Sequence, residues 1–358
     1  MVNAVDQTVA EVDIAVALQR YTDVDVTVMA WFTAEGFYGD ELVDVVDLDA
    51  PDTRTGIDYR TLSAANEVIR DSDIVQTTHN HSGAYAKLLA RYNGVPSVSR
   101  EGNTRDGFPM LGLVANGLTN PLAARVVCNS RAVRDSFRGW ENRILDRDKI
   151  EYIPNGVDID AIDSSEEMGW CLDDAVDIGA DSLLVGTVGS LTEQKNQATL
   201  IRGVSRARDR GAEMELVIVG DGPLREKLSK TARSEGIADS VHFPGRLERE
   251  RVYHVLHELD VYAMPSLWEG FSMAAIEAAA SGTACVFSDI GPFVEAYEDV
   301  AMFHDPTDVD SLADALCQLS GDADRRAQLG AAGRSLVERN YTLEAVARQY
   351  WDLYEAIR

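Results

Sequence analysis

The chain has 358 residues, enough for two domains of ordinary size that each bury a core. Its hydrophobic fraction of 45% is that of a globular protein, and no run approaches the roughly 18 apolar residues of a membrane-spanning helix. Sixty acidic against 33 basic residues leave a net charge of −27, which excludes a large basic face and with it nucleic acid as the partner. Only five of the 33 basic residues are lysines. Such self-repulsion needs strong screening, which concentrated salt supplies, so the balance reads as that of a salt-loving organism. The four cysteines (Cys128, Cys171, Cys285, Cys317) have no metal or redox spacing, which points to a reduced, cytoplasmic setting. The first residues, Met1 to Asp6, do not read as a secretion signal.

In chain order, residues 4–20 read as a helix. Val5, Val9, Val12 and Val16 recur at helical spacing on its apolar face. Residues 24–30, 73–78, 95–99 and 125–129 read as strands separated by helical patterns. Residues 125–149 hold seven basic groups (Arg125, Arg131, Arg134, Arg138, Arg143, Arg147, Lys149) against four acidic ones, with Phe137 and Trp140 among them. That segment could touch an anionic lipid head group or an acceptor phosphate as a peripheral membrane contact; the plainer expectation is a solvated helix. After the turn Pro154-Asn155-Gly156-Val157-Asp158 the alternation starts again, with strands expected at 183–189, 215–219, 240–243, 260–264 and 284–287. The final stretch, 342–357, carries an apolar stripe at 343, 346, 347, 350, 354 and 357 that suits packing across a domain face. Two alternating blocks predict two α/β domains, each a doubly wound parallel sheet, facing each other across a cleft. The expected boundaries are 1–155, 156–340 and a terminal helix at 341–358.

The densest chemistry lies in Trp268-Glu269-Gly270-Phe271-Ser272-Met273-Ala274-Ala275-Ile276-Glu277, with two carboxylates eight residues apart around a Gly-Phe-Ser turn. A helix start presents unpaired N–H groups and a partial positive charge, so it attracts anions. Gly270 permits close backbone approach and Ser272 can cap the helix. Glu277 lies about 7 Å along the axis, where a carboxylate can accept two hydrogen bonds from a ribose diol. Glu269 would repel a diphosphate unless it binds neutral hydroxyls and a cation sits nearby. Lys195, in Val188-Gly189-Ser190-Leu191-Thr192-Glu193-Gln194-Lys195-Asn196, is a mobile point cation suited to that task. Ile218-Val219-Gly220-Asp221-Gly222-Pro223 is another strand-to-helix turn. His254 and His257 lie one helical turn apart without an apparent third ligand, so they read as structural and no metal site is expected.

Together these segments resemble the retaining glycosyltransferases of family 4, which have the GT-B fold. The resemblance runs through Val188-Gly189, Lys195, Val219-Gly220-Asp221-Gly222-Pro223-Leu224, Phe243-Pro244-Gly245-Arg246, Pro265 to Phe271, Glu277, Ser288-Asp289-Ile290-Gly291 and Glu295. It is weaker in the N-terminal block, at Thr78-His79-Asn80-His81, Asn129 to Val133 and Pro154 to Asp158. It implies that the C-terminal domain binds a nucleoside-diphosphate sugar, with UDP or GDP among the candidates, as substrate and without a cofactor. Amides of Gly270, Phe271 and Ser272 would hold phosphate oxygens and Glu277 the ribose. Glu269 would hold the sugar hydroxyls and Lys195 the diphosphate, which makes these two the catalytic pair. The base would lie near Arg246 and Leu247. The N-terminal domain would present a glycan, lipid-linked or small-molecule acceptor, and transfer would be metal-independent, at the inner face of the membrane if the acceptor is a lipid.

Three departures from the family pattern stand out. Ser190 replaces the usual Arg ahead of the lysine, which removes one phosphate cation from the donor site. Arg100, Glu101 and Asn103 occupy the loop where a His is common, leaving His79 or His81 to serve the acceptor. The first helix also lacks the strand and glycine-rich loop that normally precede it, so the expectation is a reading frame that starts upstream. Two other functions fit the same layout: a nucleotide-sugar epimerase, or a nucleotide-sugar-binding protein without catalysis. The charge balance generates the first prediction. The melting temperature climbs steeply between low salt and molar KCl, because screening relieves the repulsion; a flat melting temperature in a salt series would contradict the salt-adapted reading.

Overall fold

The computed structural model describes residues 2–4, 10–33, 43–51, 57–78, 81–108, 110–167, 169–172, 175–176, 178–179 and 182–358. The chain divides into two compact units, Met1–Gly156 with Leu343–Arg358, and Val157–Thr342. Among the described residues every strand pairing in both is parallel.

The first unit holds β1 (Val2–Ala4), α1 (Ala10–Tyr21), β2 (Thr27–Thr33), β3 (Asp44–Asp47), α2 (Tyr59–Arg70), β4 (Val75–Thr78), α3 (His81–Asn93), β5 (Ser97–Glu101), α4 (Met110–Thr119), β6 (Arg125–Cys128), α5 (Arg131–Asp135), α6 (Glu141–Ile144) and β7 (Ile150–Tyr152). Its strands form two sheets, β1-β2-β3 and β4-β5-β6-β7. The expectation that no strand precedes the first helix is corrected: β1 runs parallel to β2, with Val2 opposite Ala30. The helix itself begins at Ala10, not at residue 4. Its buried residues are Val12, Ile14, Ala15, Ala17 and Leu18, a broader face than the valine spacing alone predicts; Val5 and Val9 lie outside the described residues. A cavity of about 500 Å³ opens among α1, β2, β4 and the last helix, with Thr27, Val28, Gln76 and Thr78 in its wall.

The basic segment 125–149 is likewise not one solvated helix. It is a strand, two short helices and a turn at 147–149. Phe137 within it is buried under the Arg105 guanidinium, 4.1 Å from the ring centroid.

The second unit holds α7 (Ile159–Ser165), β8 (Leu183–Val188), α8 (Gln197–Asp209), β9 (Met214–Val219), α9 (Arg225–Ser234), β10 (Val241–Gly245), α10 (Arg249–Glu258), β11 (Val261–Met264), α11 (Met273–Ala280), β12 (Ala284–Ser288), α12 (Gly291–Tyr297), β13 (Met302–His304), α13 (Val309–Ser320) and α14 (Ala323–Asn340). Among the described residues its six strands run in the order β10-β9-β8-β11-β12-β13. The alternate residues of a strand feed opposite faces. On β11, Tyr262 and Met264 enter one core with Phe271, Ile276 and Phe287, while Val261 and Ala263 enter the other with Leu216, Ile218 and Leu312. Both faces of the sheet are therefore covered, as a parallel sheet requires.

The last helix, α15 (Leu343–Glu355), packs on α1 in the first unit, where Tyr350 and Val346 meet Ile14, Leu18, Val98 and Val127. Much of the acid surplus is put to local use. Asp58, Asp158, Asp308 and Asp322 each accept a backbone N–H at a helix start, where a carboxylate also meets the positive end of the helix.

A polar network lies inside the first unit. Lys87 on α3 is fully buried and donates to Ser99 (3.0 Å), Asn116 (2.5 Å) and Asn120 (2.7 Å). Glu101 accepts from Asn116 (2.6 Å), Asn120 (2.9 Å) and Arg105 (2.6 Å), and Arg105 also donates to Glu141 (3.0 Å). Two cations and two carboxylates balance here, as buried charges must. Burial, opposed by Glu101, lowers the Lys87 pKa from 10.5 to about 8. Unfolded chain thus binds more protons than folded chain between these values, and stability rises with pH across that window. The second prediction follows: between pH 8 and 10.5 wild type gains up to about 3 kcal/mol relative to Lys87→Met, and below pH 8 the difference is flat. Paired urea titrations check it; parallel pH profiles for the two proteins would refute it.

Candidate functional site

Strand order in the second unit reverses between β8 and β11. At such a switch point the loops leaving two adjacent strands turn to opposite faces and open a crevice at their carboxyl ends. The loop after β8 carries Ser190 to Asn196, and the loop after β11 carries Pro265 to Ser272. They are stitched together by the backbone: Leu267 N donates to Gln194 O at 2.8 Å. Asn196, in the left-handed region at φ 51°, donates to Pro265 O (3.1 Å) and Pro306 O (3.0 Å). Asparagine tolerates that conformation better than other residues with a Cβ.

This stitching brings Lys195 and Glu269 together. Lys195 Nζ lies 2.6 Å from Glu269 Oε1. Ser266 Oγ donates to the same oxygen at 2.8 Å, and Gln194 Nε2 reaches Glu269 Oε2 at 3.4 Å and Trp268 O at 3.0 Å. Glu269 is 6% exposed, and a cation and two neutral donors surround its carboxylate, the partners that a buried polar group requires. The lysine stem lies along Gly189, where a Cβ would stand 3.4 Å from Lys195 Cε. Beneath the pair, burial pushes the Tyr262 phenol well above its ordinary pKa, and its hydroxyl donates to Val188 O at 3.4 Å.

Glycines set the floor. Gly220, at φ 127°, presses so close to Gly189 that a Cβ would fall 2.1 Å from Gly189 O. A Cβ on Gly222 would fall 2.7 Å from Leu191 N. Gly220 N donates to Gly245 O (2.8 Å) and Leu191 N to Asp221 O (3.0 Å), so the loops after β8, β9 and β10 form one layer.

The turn at 270–272 leads into α11. Ser272 caps the helix, accepting from Ala275 N at 3.4 Å. Phe271 points into the core and meets Tyr341 edge-on, with centroids 5.4 Å apart, so only its backbone remains for a ligand. Glu277 is the fifth residue of α11 and is 8% exposed. Tyr253 OH approaches its Oε1 at 3.5 Å and Arg249 Nη2 at 3.6 Å. Ser190 and Arg246 are exposed, and Leu247 is half-buried against the core that holds Phe271.

The acceptor-side expectations fare differently. Arg100 and Glu101 belong to β5, not to a loop, and both are buried. Arg100 donates to Asn155 Oδ1 at 2.5 Å and pairs with Glu11; burial opposes its charge, but Glu11, Tyr350 and Tyr354 together outweigh that and raise its pKa. Glu101 is enclosed by the network around Lys87. Each is held in an internal ion pair, Arg100 with Glu11 and Glu101 with Arg105. Asn103 remains in the loop and accepts from Thr104 N at 2.8 Å. His81 stands at the start of α3, and His79 lies outside the described residues. His254 and His257 bind the backbone carbonyls of Ser165 (2.7 Å) and Ile162 (3.0 Å) and so tie α10 to α7.

With this geometry in place, the comparisons with known proteins are informative. Residues 12–161 match the model for Glycosyltransferase Family 4, and residues 173–336 that for Glycosyl transferases group 1. The chain carries two glycosyltransferase-type domains. It is 31% identical over 233 residues to EpsF of Bacillus subtilis and 30% identical over 251 residues to phosphatidyl-myo-inositol mannosyltransferase of Mycobacterium tuberculosis. These matches take in 62% and 68% of this chain, and span 59% and 63% of the relatives' own length. The crystal structure of Anabaena HepE in complex with UDP and glucose is similar at a TM-score of 0.81, with 17% identity over 99% of both chains. The fold is GT-B, two parallel-sheet α/β domains.

Sequence reasoning did not single out Ser266, Gln194, Arg249 or Tyr253. Ser266 was legible in principle, since it stands three residues before Glu269 in the same turn. Arg249 and Tyr253 carried no signal beyond one helical turn of spacing, because what gives them meaning is the approach of α10 to α11. The third prediction concerns the glycine floor. Gly220→Ala loses about 2 kcal/mol or more, since the residue has both a strained φ and no room for a methyl group. Urea unfolding measures it, and a wild-type midpoint would show that the loop layer yields.

Proposed function

We propose that the protein is a retaining glycosyltransferase that moves a hexose from a nucleoside-diphosphate sugar to a glycan or lipid-linked acceptor. The observation that carries this reading is the Lys195–Glu269 pair beside the Gly270–Ser272 turn, with Glu277 one helical turn beyond. The amides of Gly270, Phe271 and Ser272 take the phosphate oxygens at the start of α11. Glu277 takes the ribose, exchanging Tyr253 and Arg249 for its hydroxyls. Glu269 takes hydroxyls of the donor sugar, and Arg246 and Leu247 flank the base.

The transition state is oxocarbenium-like, and the leaving diphosphate gains negative charge. Lys195 and the fixed dipoles of the helix start stabilise that charge where it develops, which is the arrangement that lowers a barrier. In this reading Lys195 and Glu269 are catalytic, no divalent cation is assigned a role, and His79, His81 and Asn103 stand on the acceptor side. The names of relatives and neighbours are compatible with this donor class: one is a mannosyltransferase acting on a phosphatidylinositol, and another holds UDP and glucose. The acidity supports a salt-adapted protein, and the scattered cysteines support a reduced cytoplasm.

The fourth prediction tests the donor site. A nucleotide sugar at about 100 times its Kd raises stability by about 2.7 kcal/mol. Glu277→Gln weakens that binding by about 1.5–3 kcal/mol, the worth of a charged hydrogen bond, with little change in folding. Transfer continues in excess EDTA. Equal donor affinity in the variant would remove Glu277 from the site, and activity abolished by EDTA and restored by Mg²⁺ would overturn the metal-free mechanism.

A further inference from the structure

Glu269 is held in place by one set of groups and neutralised by another. Ser266 Oγ donates to its Oε1 at 2.8 Å and Gln194 Nε2 to its Oε2 at 3.4 Å, so a neutral donor sits on each carboxylate oxygen. Gln194 is itself fixed, because the same amide nitrogen donates to Trp268 O at 3.0 Å. Lys195 supplies the opposite charge. Its Nζ lies 2.6 Å from Oε1, with the lysine side chain 19% exposed and the glutamate side chain 7%. An ion pair shielded from water in this way is stronger than one on the surface. Removing one partner from it leaves a buried charge uncompensated.

The cation is the member of this group that is built to move. Lysine carries a point charge on a flexible four-carbon stem. The stem runs past Gly189, whose missing side chain leaves it a smooth track: a Cβ there would stand 3.4 Å from Cε, 3.7 Å from Cδ and 3.8 Å from Cγ. The ammonium can swing from Oε1 to a second anion while Ser266 and Gln194 keep the carboxylate from turning. Under the donor reading above, on which this inference rests, that second anion is the diphosphate. Its arrival sets two anions in competition for the Lys195 ammonium. Free nucleoside diphosphate brings Glu269 nothing in exchange. A nucleotide sugar brings hydroxyls, which donate to the carboxylate as Lys195 turns away.

We propose that the Lys195–Glu269 contact is a discriminator: it penalises binding of the free diphosphate and spares the sugar-linked donor. Glu269 is then a specificity-determining residue, and Ser266 and Gln194 are positioning residues that act through it. Specificity of this kind arises from what is left unpaired when the wrong ligand binds. The same competition acts after transfer. Once the hexose has left, Glu269 loses its hydroxyl donors and draws Lys195 back, which loosens the product diphosphate. A purely structural ion pair would hold the two loops together and affect both ligands alike.

The test is isothermal titration calorimetry of the full chain with UDP, GDP, UDP-glucose and GDP-mannose, at a salt concentration where circular dichroism shows the protein folded. Glu269→Gln keeps the size of the side chain and removes its charge. It binds the free diphosphate about tenfold tighter than wild type, as release of a charged hydrogen bond to Lys195 requires, and the sugar-linked form no tighter. The ratio of the two affinities therefore shifts toward the free diphosphate. Ser266→Ala shifts that ratio the other way, because the carboxylate then depends more on Lys195. A Glu269→Gln variant that binds free diphosphate no tighter than wild type overturns the proposal. So does one whose affinities for both ligands change by the same factor. Should Glu269→Gln fail to fold, Ser266→Ala decides, and an unchanged ratio there overturns the proposal as well. Wild type that binds none of the four nucleotides overturns the donor reading itself, a result distinct from these.

Discussion

A carboxylate held away from water needs a partner, and in the second unit that requirement fixes the site. Glu269 follows a strand buried on both faces and is itself nearly buried. Lys195 supplies the opposite charge from a loop 74 residues earlier in the chain. The pair can form only because strand order reverses between β8 and β11, which sets the two loops side by side. Gly189, Gly220 and Gly222 let the loop layer beneath close tightly, and Asn196 anchors its far end. An ion pair, a topological reversal and three missing side chains thus depend on one another.

The first unit solves the same electrostatic problem differently. Lys87, Glu101, Arg105 and Glu141 are buried together, and their charges balance within one network. Arg100 does likewise with Glu11 and Asn155, joining β5 to α1 and to the segment after β7. Arg100 and Glu101 resemble site residues in a sequence, since they are charged and close a strand, but in the fold their partners are internal. The cost of holding charge inside appears on the surface: with its polar side turned inward to serve the network, α4 has only apolar residues to show outside.

The acid surplus is spread with purpose. Aspartates cap helices, where each satisfies an orphan N–H and meets the helix dipole. Other acids pair with arginine on exposed helices, as Arg334 does with Asp163 and Glu338. Exposed pairs of this kind contribute little each. Their number lets the molecule carry many charges without losing its core, and it leaves the acid-poor stretch from 74 to 134 as the part of the sequence that departs from the rule.

The alternation of strands and helices was legible in the sequence because apolar runs bounded by glycine turns depend on local pattern alone. The strands at 183–188, 214–219, 261–264 and 284–288 lie within a residue or two of their expected bounds. The short strands β1, β3, β7 and β13 were not, since three or four residues carry too little periodicity to stand out. Glu269, Lys195, Gly270 and Glu277 could be named from residue type and spacing, because a helix start, a glycine and a carboxylate have a chemistry of their own. That Lys195 and Glu269 touch, that Arg249 and Tyr253 attend Glu277, and that Arg100 and Glu101 are enclosed could not be. Those facts depend on which residues distant in the chain share a neighbourhood, and only the packing of the strands and helices decides that.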